Sequence, residues 1–375
     1  MNKKIWLSSP HMSGNELKYI IEAFDTNWVA PIGPNINGFE QDLSKYLNVK
    51  SVAALTSGTA AIHLALILLG VKSEDEVIAQ SFTFSATVNP IVYLGAKPVF
   101  IDSEWDTWNM SPELLEKAIN DRISKGKKPK AIIIANLYGM PAKLDEILSI
   151  SKKYDIPIIE DSAEGLGSTY KGKKLGAFGD FGVLSFNGNK IITTSGGGAL
   201  VSKNDKHIET ARFLATQARD KAPYYQHSHI GYNYRMSNIL AGIGRGQMKV
   251  IDLRVEQRRA NHQFYKDNLE QIPGVSVFTE REGFFSNYWL TTILIDPNKT
   301  KGITTEDVRL SLEKENIETR PLWKPMHMQP IFKDYPAYCN GVSEELFKIG
   351  LCLPSGSNLT DDDRNRILKA LLKVF

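Results

Sequence analysis

Lys190 stands in the stretch 183–198, VLSFNGNKIITTSGGG, between a hydroxyl-bearing strand at Ser185-Phe186 and the glycine run Gly196-Gly197-Gly198. Backbone on both sides holds such a lysine and keeps its amine from wandering in solvent. Where the surroundings favour the neutral form, such an amine condenses with a carbonyl compound to a Schiff base. Glycine and lysine are also common in turns, and the stretch alone reads more readily as a hairpin with a surface lysine. Other reactive groups have to decide between the two.

Several of those groups fall where an apolar run ends. Residues 52–55 run into Ser57-Gly58-Thr59 and then into a strongly apolar helix that ends at Leu69. Backbone N–H groups and the helix dipole favour an anion at such a start, although a plain N-cap at Ser57 or Thr59 explains the same letters. Phe84 follows the run 76–79, and Asn136-Leu-Tyr-Gly139 follows Ala131–Ala135. Ile156-Pro-Ile-Ile159 delivers Glu160 and Asp161 to a sheet edge, where an acidic pair is costly unless solvated, partnered or used. Together these are an anion seat at Gly58-Thr59, an aromatic at Phe84, a carboxylate at Asp161, a hydroxyl at Ser185 and the amine of Lys190. Pyridoxal phosphate needs that set: donors for its phosphate, a flat apolar face for its ring, a carboxylate for its ring nitrogen and a lysine for its aldehyde. Gly165-Leu-Gly167 invites a dinucleotide reading, but Tyr170 occupies the third position of GxGxxG and no helical pattern opens there. His227 and His229 lack nearby carboxylates or cysteines, so no metal site is expected.

Positioning these groups takes an α/β fold. Short apolar runs at 52–55, 76–79, 98–102, 131–135 and 157–160 alternate with helical segments at 57–69, 87–94, 112–123 and 144–154. That alternation means a mainly parallel sheet flanked by helices, with ligands outside the carboxyl ends of its strands. An amphipathic helix at 16–24 carries Leu17, Ile20, Ile21 and Phe24, and 27–38 reads as an extended loop holding Trp28. Helices are expected at 39–47, 208–215 and, as one long element, 237–268. A strand at 289–296 and helices at 305–316, 344–351 and 361–374 follow. The shift from small apolar to charged residues within the long helix puts a domain boundary near Val250, between a large domain, 1–250, and a smaller C-terminal α+β domain, 251–375. The net charge of +3 is too mild to argue for nucleic acid, and no run of about 18 apolar residues suggests a membrane span. Cys339 and Cys352, the only cysteines, lack CxxC spacing, and residues 1–12 lack an export signal, which fits a reducing cytoplasm.

In their joint order, Ser57-Gly-Thr-Ala-Ala61, Ser81-Phe-Thr-Phe84, Glu160-Asp161, Ser185-Phe-Asn-Gly-Asn-Lys190, Gly231-Tyr-Asn-Tyr-Arg235 and Arg320-Pro-Leu-Trp323 carry a family resemblance. They resemble the motifs of the DegT/DnrJ group of fold type I, pyridoxal-phosphate-dependent sugar aminotransferases, over residues 10–355. The resemblance implies that Lys190 is the Schiff-base lysine, that Asp161 partners the pyridine nitrogen, that Phe84 covers the ring face and that Glu164 lies near the ring. Gly58, Thr59 and Ser185 match the phosphate cup. Asn233 matches a position that reaches the phosphate of a neighbouring subunit, so a homodimer with shared active sites is implied. Lysine rather than histidine at 190 favours transamination over dehydration.

Segments 187–198 and 320–327 look like the bacillosamine-pathway enzymes, because Ser195-Gly196 stands where the wider group has Gly-Glu or Gly-Asp. This implies amino transfer from L-glutamate, released as 2-oxoglutarate, to C4 of a UDP-2-acetamido-2,6-dideoxy-4-keto-hexose. Arg235, Arg320, Trp323 and His327 are then candidate substrate contacts, with Trp28 lining the site or reaching a partner subunit. A guanidinium suits a diphosphate or carboxylate, and an indole an apolar sugar face; inter-domain packing explains any one of them equally well. The alternatives are amination of another GDP-, dTDP- or UDP-linked keto sugar at C3 or C4, an NAD-dependent nucleotide-sugar oxidoreductase or epimerase, and a non-catalytic cofactor-binding regulator.

Overall fold

The structure, a computed structural model, describes residues 3–375; Met1 and Asn2, which the readings of 1–12 and 1–250 include, lie outside the described residues. Eight strands form the main sheet, in the order Ser51–Leu55, Gly198–Ser202, Phe181–Ser185, Ile158–Asp161, Ala131–Ala135, Glu76–Gln80, Lys97–Ile101 and Ala337–Tyr338. All point the same way except Gly198–Ser202, which pairs antiparallel with both neighbours. Successive side chains of a strand face opposite sides, so each apolar run feeds two cores. Val77, Ala79, Ile133 and Ile159 pack with the helix Gly58–Leu68, whereas Ile78, Ile132, Ile134 and Ile158 pack with the helices Pro112–Ser124 and Leu144–Tyr154.

A second, antiparallel sheet follows, in the order Val275–Val277, Thr291–Ile295, Gly350–Leu353 and Arg320–Pro321. The helices Ile251–Leu269, Thr305–Lys314 and Asp361–Leu372 share its core. Several of the described segments cross the Val250 division, among them Phe284–Phe285, which pairs antiparallel with Thr169–Tyr170. Ile5 belongs to the second core and bridges to Ile317, while Ala337–Tyr338 extends the main sheet.

Three local expectations change. The helix expected from residue 39 begins at Pro34, because proline's fixed φ suits the first turn. The single helix expected over 237–268 is two, Asn238–Met248 and Ile251–Leu269. The helix expected to reach 351 stops at Ile349, and Gly350–Leu353 is a strand. A Cβ at Gly350 would lie 2.1 Å from Leu322 Cδ1, so the chain turns there through a gap that admits only glycine.

The first helix, Glu16–Asp25, buries Glu16, Tyr19 and Ala23 rather than its apolar stripe. Its partner, Asn238–Met248, presents glycines: a Cβ at Gly246 would lie 2.8 Å from Glu16 Cα and one at Gly242 3.1 Å from Tyr19 Cβ. That close approach leaves Leu17, Ile21 and Phe24 facing out, 66%, 54% and 63% exposed. Among the described residues no helix is long and apolar enough to cross a membrane, and both cysteines are unpaired.

Candidate active site

The strands Phe181–Ser185 and Gly198–Ser202 pair from Phe181 with Ser202 to Ser185 with Gly198. Residues 186–197 are therefore a hairpin loop, and the hairpin reading and the reactive-lysine reading describe one object. Its lysine is not at the surface: the Lys190 side chain is only 11% exposed. Lys190 N donates to Asn187 O at 3.0 Å, and Phe186 N to Gly197 O at 2.9 Å. Ser8 Oγ and Trp289 Nε1 each donate to Asn189 O at 2.7 Å, and Arg258 Nη2 to Lys190 O at 3.4 Å. The amine thus sits on a loop fixed by the N-terminal arm, the helix Ile251–Leu269 and Trp289.

A cavity of about 310 Å³ opens at this amine. Gly58, Thr59, Phe84, Asp161, Glu164, Ser185 and Trp323 line it with Lys190. Strand alternation separates the acidic pair. Glu160 faces the Ile158 side, where it accepts from Gly176 N at 2.7 Å, Phe178 N at 2.9 Å and Asn136 Nδ2 at 3.0 Å, and serves the fold. Asp161 faces the cavity and accepts from Thr87 Oγ1 at 2.7 Å and Ala163 N at 3.1 Å. Burial holds its carboxyl above the ordinary range, against the pull of those two donors and of Lys190. Glu164 Oε1 lies 3.5 Å from Lys190 Nζ, and Oε2 accepts from Tyr138 N at 2.7 Å. Burial raises Glu164 too, with the charge of Lys190 opposing it. Below the amine, the Trp289 ring centroid is 4.1 Å from Nζ.

The residues present fit pyridoxal phosphate. The side chain of Ser57 caps Ala60 N at 3.0 Å and Ser57 O takes Ala61 N at 3.2 Å, which leaves the N–H groups of Gly58 and Thr59 without a backbone partner among the described residues. An anion completes such a helix start. A Cβ at Gly198 would lie 2.2 Å from Ser57 C and 2.3 Å from Gly58 N, so the antiparallel strand can lie flush against the seat only as glycine. Half-exposed Phe84 offers a flat face beside Trp323, ring centroids 5.2 Å apart. Asp161, Glu164 and Lys190 complete the donor set around one space.

Other candidates stay outside the cavity. Arg235 Nη1 is bound to Glu40 Oε1 at 2.8 Å and Ala54 O at 3.1 Å, an ion pair under the sheet edge. Arg320 is exposed and reaches Glu318 Oε1 at 2.9 Å. His327 Nδ1 meets Ser81 Oγ at 2.7 Å, and its Nε2 meets Glu344 Oε1 at 3.2 Å. Trp28 is surface-exposed, its carbonyl accepting from Asn238 Nδ2 at 3.0 Å. Asn233 is exposed and bridges to Thr216. Conversely, Thr87, Tyr138 and Trp289 reach Asp161, Glu164 and Lys190 with no mark of that use in the sequence beyond the place of Tyr138 in the Asn136-to-Gly139 motif and of Trp289 at the head of an expected strand.

The geometry agrees with comparisons to known proteins. The model of the DegT/DnrJ/EryC1/StrS aminotransferase family matches residues 10–372. EpsN of Bacillus subtilis, assigned by name to the pyridoxal phosphate-dependent aminotransferases, is 56% identical over 379 residues, covering 100% of this chain and 97% of its own. The GDP-perosamine synthase of Escherichia coli O157:H7 is 36% identical, covering 100% of this chain and 99% of its own. The crystal structure of a DegT DnrJ EryC1 StrS aminotransferase from Brucella abortus superposes with a TM-score of 0.89 at 28% identity, covering 96% of this chain and 95% of that one. An amine, two buried carboxylates and an anion seat around one cavity, on a sheet shared with these enzymes, make this chain a pyridoxal-phosphate-dependent member of the DegT/DnrJ/EryC1/StrS aminotransferase family.

Proposed function

We propose that this aminotransferase moves the amino group of L-glutamate to C4 of a UDP-2-acetamido-2,6-dideoxy-4-keto-hexose, giving the 4-amino-2,4,6-trideoxyglucose product, in the cytoplasm. The observation that carries the transfer is Lys190 Nζ, 3.5 Å from Glu164 and held by its loop within the cavity that Asp161 lines. Bound pyridoxal phosphate supplies the electron sink and stores the amino group between the two half-reactions. Gly58, Thr59 and Ser185 hold its phosphate, and Asp161 keeps a carboxylate at its ring nitrogen. Lys190 takes a proton from one reacting carbon and returns it to another on the same face, so one base serves both halves. Glu164 orients that amine. The division near Val250 belongs to the same proposal: Trp289 and Trp323 bring 251–375 to a cavity otherwise built by 1–250.

The UDP sugar is supported by segments 187–198 and 320–327, and a GDP sugar by the name of the E. coli relative. With the purified enzyme and glutamate, kcat/KM for UDP-2-acetamido-2,6-dideoxy-4-keto-glucose should exceed that for the GDP- and dTDP-linked 4-keto-6-deoxyhexoses by about tenfold or more. A GDP sugar turned over fastest replaces the UDP reading.

The exposed row Leu17, Ile21 and Phe24, continued by Val29 and Ile32, fits a second copy of this chain. A homodimer would also bring Asn233, outside its own cavity, to the neighbour's phosphate. Leu17→Glu with Phe24→Glu is expected to sediment as a monomer with activity down about tenfold or more. A wild-type protein that is monomeric and fully active overturns the shared site.

A further inference from the structure

Tyr138 touches both the acid beside Lys190 and the segment that carries Trp323. Its backbone stands at φ 56° and ψ 15°, the left-handed region that a large side chain avoids. From there its N–H meets Glu164 Oε2 at 2.7 Å, and its hydroxyl oxygen accepts from Trp323 N at 3.0 Å. Gly139 follows at φ +90°, where a Cβ would lie 1.9 Å from Asn287 Oδ1. The turn is therefore pressed against Asn287, whose Nδ2 donates to Glu164 O at 2.9 Å. The Tyr138 ring is nearly parallel to two indoles, Trp289 at 6.5 Å and 12° and Trp323 at 6.4 Å and 2°. Trp289 in turn lies under Lys190 Nζ, and Trp323 against Phe84. Contacts thus run unbroken from the segment 320–327 to the amine. A strained residue persists where its surroundings over-determine it, and here those surroundings are the two ends of that path.

We propose that Tyr138 is a positioning residue that ties the seating of the keto sugar against Trp323 to the placing of Glu164 beside Lys190. The proposal rests on the nucleotide-sugar reading above. The N–H of Tyr138 serves both half-reactions, whereas its hydroxyl serves the sugar half, so removing the hydroxyl separates them.

In the cofactor-loaded enzyme, Tyr138→Phe keeps the bond to Glu164 and the ring planes but leaves Trp323 N without its acceptor. The glutamate half-reaction, followed by cofactor absorbance, should stay within about twofold of wild type. KM for UDP-2-acetamido-2,6-dideoxy-4-keto-glucose should rise about tenfold at nearly unchanged kcat. Calorimetric binding of the same sugar nucleotide to the cofactor-free protein should weaken by a similar factor, which needs no turnover. Combined with Trp323→Leu, the effects should fall well short of additive. The melting temperature of Tyr138→Phe, expected within a few degrees of wild type, separates the lost hydroxyl from a folding defect; Trp323→Leu alone does not, because it keeps the backbone N–H that donates to Tyr138. Equal losses in both half-reactions, no change in either, or full additivity overturn the coupling. A wild type that reacts with glutamate but aminates none of the three keto sugar nucleotides overturns the proposed function itself, a result distinct from those.

Discussion

Replacing Lys190 by alanine is expected to lower turnover by about four orders of magnitude while leaving the fold in place. The loop does not depend on the amine. Its bonds run through the backbone of Lys190 and Asn189 to Asn187, Ser8, Trp289 and Arg258, and all of them survive the truncation. What the variant loses is the group that moves the proton, together with the cation that opposes the burial of Asp161 and Glu164. Those carboxyls then rise further and stay neutral more readily, so the stability cost of removing the charge is small. Product formation over many cycles, measured by mass spectrometry, checks the first claim, and the melting temperature checks the second. Sustained multiple turnover in the alanine variant would remove Lys190 from the mechanism.

Parts of this site were legible from the chain because buried parallel strands are continuous apolar runs that end where the chemistry begins. The run 131–135 and the helix 144–154 needed no correction, and Asp161 could be placed at a strand end from Ile156-Pro-Ile-Ile159 alone. The sequence reading leaves Glu160 and Asp161 as an acidic pair, and the strand separates them, since neighbours must face opposite cores. Other features had no local signal. Periodicity found the apolar stripe Leu17, Ile21 and Phe24 but not which face is covered, because that is decided by glycines on a helix more than two hundred residues away, as for the Gln247–Glu16 bond of the same pair at a separation of 231. For Arg235, which the resemblance implies as a substrate contact, the neighbouring sequence shows no partner; Glu40, 195 positions earlier, supplies one. Tyr138 lacks a local signal for a related reason. Nothing in its letter announces a positive φ, and only the assembled contacts with Glu164 and Trp323 give its conformation a use.

Asp161→Asn should produce the sharpest opposition between activity and stability. Without a carboxylate at the ring nitrogen, the negative charge that builds up on the reacting carbon is not drawn away, and kcat should fall by about a thousandfold. The fold should tolerate the change well. Thr87 Oγ1 donates to Asp161 Oδ2 at 2.7 Å and is itself 2.8 Å from Thr83 Oγ1. An asparagine amide can donate to Thr87, whose proton then turns to Thr83, while the amide oxygen keeps the 3.1 Å bond from Ala163 N. Every polar atom stays paired. The sign of the stability change follows from the raised carboxyl. The folded chain binds that proton more tightly than the unfolded chain, so the cost of ionisation is absent below the ordinary carboxylate range and grows as pH rises through the raised folded value. The cofactor-free asparagine variant should therefore match wild type in acid and become more stable as pH rises to neutrality, by on the order of 1 kcal/mol. Melting curves of both cofactor-free proteins across that range decide it. A variant less stable than wild type at neutral pH would mean that Asp161 is held for the fold, and not for what it does to a ligand.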